Sequence, residues 1–194
     1  MNVAIVGATG YGGIQAVNLL KNNKNYKLSY LGGNKSSGSK WNDNFPFIYL
    51  ESDLFIEEIS VDNISNNADI ALLCLPNGIS STLARGLLEK GLKVIDLSAD
   101  YRYKSLEEWK KVYTREASIY KRNDDDLCKE AIYGLPEINK DAISKGRLIA
   151  CPGCYPTSAL IPLIPFLSQG IIENEGIVID SKSGTSGGGR EPNQ

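Results

Sequence analysis

Positions 2–6 form a short β-branched and aliphatic run that meets Gly7, and Ile14, Val17, Leu19 and Leu20 then recur at helical rather than alternating spacing. This pattern predicts a strand, a glycine turn and a helix. A second strand is predicted at 27–31, closed by Gly32-Gly33, and a loop at 34–46, rich in Ser, Gly, Asn and Lys. Residues 68–75 are almost continuously apolar and stop at Pro76-Asn77-Gly78, as expected of a strand covered on both faces. A helix over 80–90 follows, with Leu83, Leu87 and Leu88 on one side and Gly91 at its end, then a strand at 92–97. Strands alternating with helices imply right-handed crossovers. The predicted fold class is therefore α/β, a Rossmann-type doubly wound parallel sheet.

Beyond this the pattern loosens. The stretch 101–130 mixes Trp109, Tyr113 and Tyr120 with many charges and reads as a surface excursion of helix and loop, its Asp124-Asp125-Asp126 run as a solvated turn. Apolar positions return at 148–150 as a strand, at 158–168 as a helix and at 176–181 as a further strand. A domain change is expected near residue 150, between a sheet domain over 1–150 and the beginning of a second domain over 151–194.

Composition narrows the class without changing it. The 194 residues are 42% hydrophobic and 23% charged with a net charge of −2, which is ordinary for a globular protein and offers no attraction to nucleic acid or an anionic membrane. No apolar run approaches the roughly 20 residues of a membrane span. The N-terminus has no basic region followed by an apolar one, so a cytoplasmic protein is expected. In that compartment the thiols at 74, 128, 151 and 154 are expected to stay reduced. Histidine is absent, which removes the commonest acid and base near neutral pH.

Two segments carry chemistry. Gly7-Ala8-Thr9-Gly10-Tyr11-Gly12-Gly13 follows a strand and opens a helix, the context in which small residues admit a pyrophosphate to the helix N-terminus. The competing reading is a glycine turn without a ligand. NAD-binding units place an acidic residue after the second strand. Here Lys35, Ser36 and Ser37 stand there instead and suit a 2′-phosphate, so NADP(H) is expected over NAD. Taken alone, Lys35 also reads as a solvated loop lysine.

The second segment is Cys151-Pro152-Gly153-Cys154-Tyr155-Pro156-Thr157. Cys154 stands between a strand and a helix, where N–H groups and the helix dipole favour a reactive thiolate and could bind an oxyanion. Buried, inert cysteine is the common alternative. The C-x-x-C spacing also admits a dithiol redox pair or part of a zinc site. Zinc would need further ligands, and only Cys74 and Cys128 remain, so no metal is expected.

Gly-Ala-Thr-Gly-Tyr-x-Gly at 7–13, Leu-Ser-Ala-Asp-Tyr-Arg at 97–102, Tyr-Gly-Leu-Pro-Glu at 133–137, Pro-Gly-Cys-Tyr-Pro-Thr at 152–157 and Ser-Gly-Thr-Ser-Gly-Gly-Gly-Arg at 183–190, in this order, resemble the N-acetyl-gamma-glutamyl-phosphate reductase family. The resemblance implies NADPH-dependent reduction of N-acetyl-glutamyl 5-phosphate to the 5-semialdehyde, in arginine biosynthesis, by a homo-oligomer. It assigns Cys154 as the nucleophile that forms a thioester. It places Gly7, Thr9, Gly10, Tyr11 and Gly13 at the cofactor with Lys35, Ser36 and Ser37, and Ser98, Arg102 and Arg190 at the small-molecule acyl phosphate. Surface salt bridges are the alternative for both arginines.

Three departures accompany the resemblance. Cys151 stands where the family usually has Asn or another small polar residue, Asn77 stands where a histidine is frequent, and the family's acid and base histidine has no counterpart before Gln194. Residues 151–194 are also too few for a core of their own. The expectation is a truncated α+β catalytic and dimerisation domain, and a chain that binds NADP but turns over poorly. Loss of acid–base assistance typically costs about 10² to 10⁴ in rate. An N-acetyl-aminoadipyl phosphate reductase and a non-catalytic NADP-binding redox sensor using Cys151 and Cys154 are the competing functions.

Overall fold

The computed structural model of the chain describes residues 1–189. In order, the elements are β1 (Asn2–Val6), α1 (Tyr11–Leu20), β2 (Lys27–Gly32), α2 (Trp41–Asn44), β3 (Ile56–Glu57), α3 (Val61–Asn67), β4 (Ile70–Leu73), α4 (Ser80–Glu89) and β5 (Lys93–Asp96). They continue with α5 (Leu106–Val112), α6 (Thr114–Ile119), α7 (Asp125–Glu130), β6 (Ile132–Tyr133), α8 (Pro136–Lys145), β7 (Leu148–Ala150) and α9 (Cys154–Ser168). The strands form one parallel sheet in the order β3-β2-β1-β4-β5-β7-β6.

Register determines what meets at the sheet edge. Val6 pairs with Leu73, Leu73 with Asp96, and Asp96 with Ala150, so β1, β4, β5 and β7 end in line. Gly7, Cys74, Leu97 and Cys151 therefore follow the strand ends side by side. The chain runs outward from β1 through β2 to β3 and then returns to β4. That reversal opens a crevice at the carboxyl ends of β1 and β4, the place where such sheets bind ligands.

Both faces of the sheet are apolar because successive side chains alternate. Ala4 and Val6 join Leu73, Val94 and Trp109 on one side. Val3 and Ile5 join Val17, Leu31 and Trp41 on the other. Between α1 and α8 this second face stays open as an apolar cavity of about 820 Å³ lined by residues such as Val3, Leu72, Ile95 and Ile149.

Five expectations need correction. The 34–46 segment is not a plain loop: Trp41 in α2 is fully buried, stacks on Phe45 at 4.3 Å and donates its Nε1–H to the Ile48 carbonyl. The excursion 101–130 is not a surface feature, because Tyr101, Leu106, Trp109, Leu127 and Cys128 are packed into the core. Charges interspersed among large apolar residues conceal three short amphipathic helices from a simple periodicity. Asp124 is not a solvated turn residue: it is buried, pairs with the buried Arg122 at 3.0 Å and accepts from the Tyr101 hydroxyl at 2.7 Å. Residues 176–181 form no strand; Val178 is 90% exposed. The helix expected at 158–168 starts earlier, at Cys154 itself.

Candidate functional site

The glycine turn is tightly specified. Gly7 has φ +84, and a Cβ there would lie 2.3 Å from the Cys74 carbonyl oxygen. A Cβ on Gly13 would lie 2.2 Å from the Gly7 oxygen, so helix α1 can pack this close only on glycine. Gly7 and Ala8 both donate their N–H groups to the Gly32 carbonyl, which locks the turn against the end of β2. Gly10 caps α1 without a side-chain hydrogen bond, and no acidic residue occupies the first helical turn. This is the backbone arrangement of an anion cradle. Thr9 faces Gly33, where a Cβ would come 3.2 Å from the Thr9 methyl, and Tyr11 is exposed at the helix start.

Lys35 and Ser36 lie in a single helical turn, Asn34–Ser36, directly after β2, and Ser37 ends it. These residues stand beyond the β2 end, on the side of β1 away from the cysteines. No acidic side chain occupies 32–38, so the donor set there suits a phosphate better than a ribose hydroxyl.

The two cysteines of the C-x-x-C differ. Cys151 continues β7, donates its N–H to the Asp96 carbonyl at 2.8 Å and is half-buried. Burial, with the nearby Asp96 carboxylate adding to it against the Arg102 charge, pushes its thiol up to about 11. Cys154 is exposed and is the first residue of α9. Gly153 caps that helix without a side-chain bond, and its carbonyl accepts from the Thr157 N–H and hydroxyl. Cys74, at the end of β4, is pushed up to about 12 by burial and by the neighbouring Cys151 and Asp96.

The segment 97–102 joins these parts. Asp96 is fully buried at the end of β5 and accepts from both the Ser98 N–H and its hydroxyl, at 2.9 and 2.7 Å. Burial raises this carboxyl to about 6, against the lowering effect of the serine bonds. The Ser98 oxygen also accepts from the Asp100 N–H, so its bonding capacity is turned inward and only 3% of Ser98 is exposed. Asp100 accepts from the Gly78 and Ser81 N–H groups at the head of α4, while the Ala99 N–H donates to Asn77. Arg122 donates to the Asp100 carbonyl, and Arg102 donates to the carbonyls of Cys151 and Leu97.

Of the residues marked by sequence, Cys154, Arg102 and Ser98 come together at the β5 and β7 ends. The glycine cradle stands at the end of β1, three strand spacings or about 14 Å across the same edge. Lys35, Ser36 and Ser37 flank the cradle from the other side. Arg190 lies outside the described residues. Asp96, Asp100, Asn77 and Arg122 were not marked as site residues. The first two stand in or beside the Leu-Ser-Ala-Asp-Tyr-Arg run, where an aspartate within an apolar strand end was the available signal.

Comparison with known proteins places these features in a lineage. Residues 2–146 match the family described as semialdehyde dehydrogenase, NAD binding domain, and residues 154–194 match the semialdehyde dehydrogenase dimerisation domain. The chain is 88% identical over 194 residues to N-acetyl-gamma-glutamyl-phosphate reductase of Prochlorococcus marinus strain MIT 9215, covering all of this chain and 55% of that protein. It is 54% identical over 192 residues to the protein of the same name from strain MIT 9211, covering 99% of this chain and 54% of the other. The chain thus spans about half the length of the curated relatives it matches. Among solved structures, aspartate semialdehyde dehydrogenase II of Vibrio cholerae superposes with a TM-score of 0.61 at 22% identity, over 86% of this chain and 46% of the other. The Candida albicans aspartate semialdehyde dehydrogenase with NADP gives a TM-score of 0.56 at 19% identity, over 87% and 47%. At these identities the structural likeness concerns the fold.

Proposed function

The chain belongs to the semialdehyde dehydrogenase family, and on that premise we propose that it is the cofactor-binding and nucleophile-bearing part of an NADPH-dependent N-acetyl-glutamyl 5-phosphate reductase. One observation carries the reading: the exposed Cys154 heads α9 on the same sheet edge as the glycine cradle at the end of β1. The names of the highly similar relatives supply the substrate class.

In this reading the Gly7, Gly10 and Gly13 backbone receives the pyrophosphate, with Thr9 and Tyr11 beside it, and Lys35, Ser36 and Ser37 receive the 2′-phosphate. Bound NADPH supplies the hydride that reduces the acyl group held on Cys154. The Cys154 thiolate attacks the acyl carbon, and phosphate leaves with the electron pair of the broken C–O bond. After reduction, the C–S bond breaks, the aldehyde departs and the thiolate is restored. In the same reading the first-turn N–H groups of α9 are the donors for negative charge developing on the acyl oxygen. Arg102 and Ser98 shape the turn beside the substrate, and Arg190 is proposed as its carboxylate or phosphate anchor.

The dithiol alternative is less favoured, because the half-buried Cys151 thiol, raised to about 11, is a poor partner in rapid exchange. With no histidine among its residues, the chain alone is expected to turn over poorly. In the cytoplasm the reading makes it part of a homo-oligomer built through the region that matches the dimerisation domain.

The test is Cys154→Ser in the protein extended to the length of its relatives. Acyl-phosphate-dependent NADPH oxidation should fall by at least about 10³, as on removal of a covalent nucleophile, with NADPH binding unchanged. Activity within tenfold of the parent would refute the assignment.

A further inference from the structure

We propose that Arg102 is a positioning residue for the nucleophile turn: its guanidinium ties the Leu97 and Cys151 carbonyls together and so fixes Cys154 at the head of α9. The inference rests on Cys154 being the nucleophile.

Leu97 and Cys151 each stand one residue past the last paired positions of β5 and β7, Asp96 and Ala150. The last backbone bond between these strands runs from the Cys151 N–H to the Asp96 carbonyl, and the Cys151 and Leu97 carbonyls beyond it are taken by Arg102. Its Nε donates to the Cys151 carbonyl at 2.8 Å and its Nη2 to the Leu97 carbonyl at 3.0 Å. The next residue, Pro152, has no N–H to contribute to the turn, so the guanidinium supplies a restraint that the local backbone cannot. A planar fork holds the two carbonyls through separate nitrogens at a set spacing, whereas an ammonium, such as that of Lys104 on the Lys129 and Ala131 carbonyls, gathers both onto one point charge.

Gly153 shows how closely the group is set. Its φ of −71 and ψ of 163 suit any residue, so conformation does not demand glycine there. Space is tight instead: a Cβ would come 3.2 Å from Arg102 Nη1 and 3.4 Å from Pro156 Cδ, so the guanidinium would have to give by a few tenths of an ångström. The third nitrogen of the fork thus lies against the residue that caps α9.

The base of the arginine is equally restrained. Asp100 holds the head of α4 through the Gly78 and Ser81 N–H groups, and the buried Tyr101 bonds Asp124. A side chain that grows from a fixed loop and ends on two carbonyls before the nucleophile has the geometry of a brace. Two of its nitrogens are spent on backbone, unlike those of an arginine held ready for a substrate anion.

The test is timed alkylation of this chain by iodoacetamide, with mass spectrometry at all four cysteines, for the parent, Arg102→Gln and Arg102→Lys. Cys154 should react first in the parent. Both variants should slow it by at least about fivefold, a fraction of the roughly 10²-fold that a misplaced reacting group can cost. Cys74 and Cys128 should stay as protected as in the parent. A parental Cys154 rate in Arg102→Lys would show that charge suffices and overturn the proposal. So would a common rise at all four cysteines, which marks loosening of the whole fold. If Cys154 is not the fastest thiol in the parent, the nucleophile reading itself fails, which is a separate outcome.

Discussion

The sheet and the segment that follows Gly153 draw on similarly apolar residues but meet water differently. Ala4, Ile5, Val6, Ala71, Leu73 and Val94 are fully buried, because the crossovers that connect the strands return over both faces. Helix α9 carries Leu160, Ile161, Leu163, Ile164, Phe166 and Leu167 on all sides and buries none of them. A helix that is apolar all round is built for an interior. The helix lies in the region that matches a dimerisation domain, and the curated relatives are about twice as long as this chain. The difference teaches that the glycine turn belongs to a layer with its own core, whereas Cys154 stands at the seam between that layer and a segment that buries none of its side chains. Arg102 bonds the Leu97 and Cys151 carbonyls on the packed side of that seam.

The packed side of this contrast can be broken at Trp109, which the sheet buries fully and which carries Arg122 over its ring at 4.5 Å. Trp109→Ala should cost about 3–5 kcal/mol in urea unfolding, through the cavity it leaves and the loss of the surface on which a buried guanidinium rests. Among the described residues the indole N–H has no hydrogen-bond partner. Trp109→Phe, which discards that donor, should therefore cost less than half as much. A Trp109→Ala cost below 1 kcal/mol would return the 101–130 excursion to the surface.

That excursion also shows why part of the molecule was legible and part was not. The strands β1, β2, β4, β5 and β7 and the helices α1 and α4 announce themselves through runs and periods that their own residues complete. Trp109 and Asp124 are buried by partners distant in sequence: Arg122 pairs with Asp124, and Tyr101 reaches it across 23 positions. No local period encodes such a knot. The strand expected at 176–181 failed for the opposite reason, since its apolar pattern is genuine and nothing among residues 1–189 pairs with it. At the site, the glycine cradle was readable because φ and close approach demand glycine. The inward turn of Ser98 and the double carbonyl contact of Arg102 depend on strand register, which sequence alone left open.

Asp96 sharpens the comparison within the packed side. Its carboxyl is raised from 3.8 to about 6 by burial, beside Asp100, so the folded state holds a proton that the unfolded chain releases earlier. Its contribution to stability is therefore fully present below pH 3.8 and is lost as pH rises through about 6. Across that window the loss is about 3 kcal/mol. Urea midpoints of Asp96→Asn, which has no charge to titrate, should lack this component when compared with the parent between pH 4 and 7. Parallel pH profiles for the two proteins would mean that Asp96 titrates normally and is not sealed beneath the turn that leads to Cys154.

The smallest effect is expected on the uncovered side. Val178 is 90% exposed, and no strand forms around it. In the 194-residue chain at low concentration, Val178→Ser should change unfolding free energy by less than about 0.5 kcal/mol, the range of exposed positions. In a chain extended to the length of its relatives, the same change should cost more, because a β-branched residue in an apolar run gains most when a neighbouring strand covers it. The ratio of the two costs measures how much of the second region's stability is borrowed. Equal costs in both lengths would show that the exposed apolar run is surface in the longer protein as well, and the contrast between a supported and a borrowed half would fall.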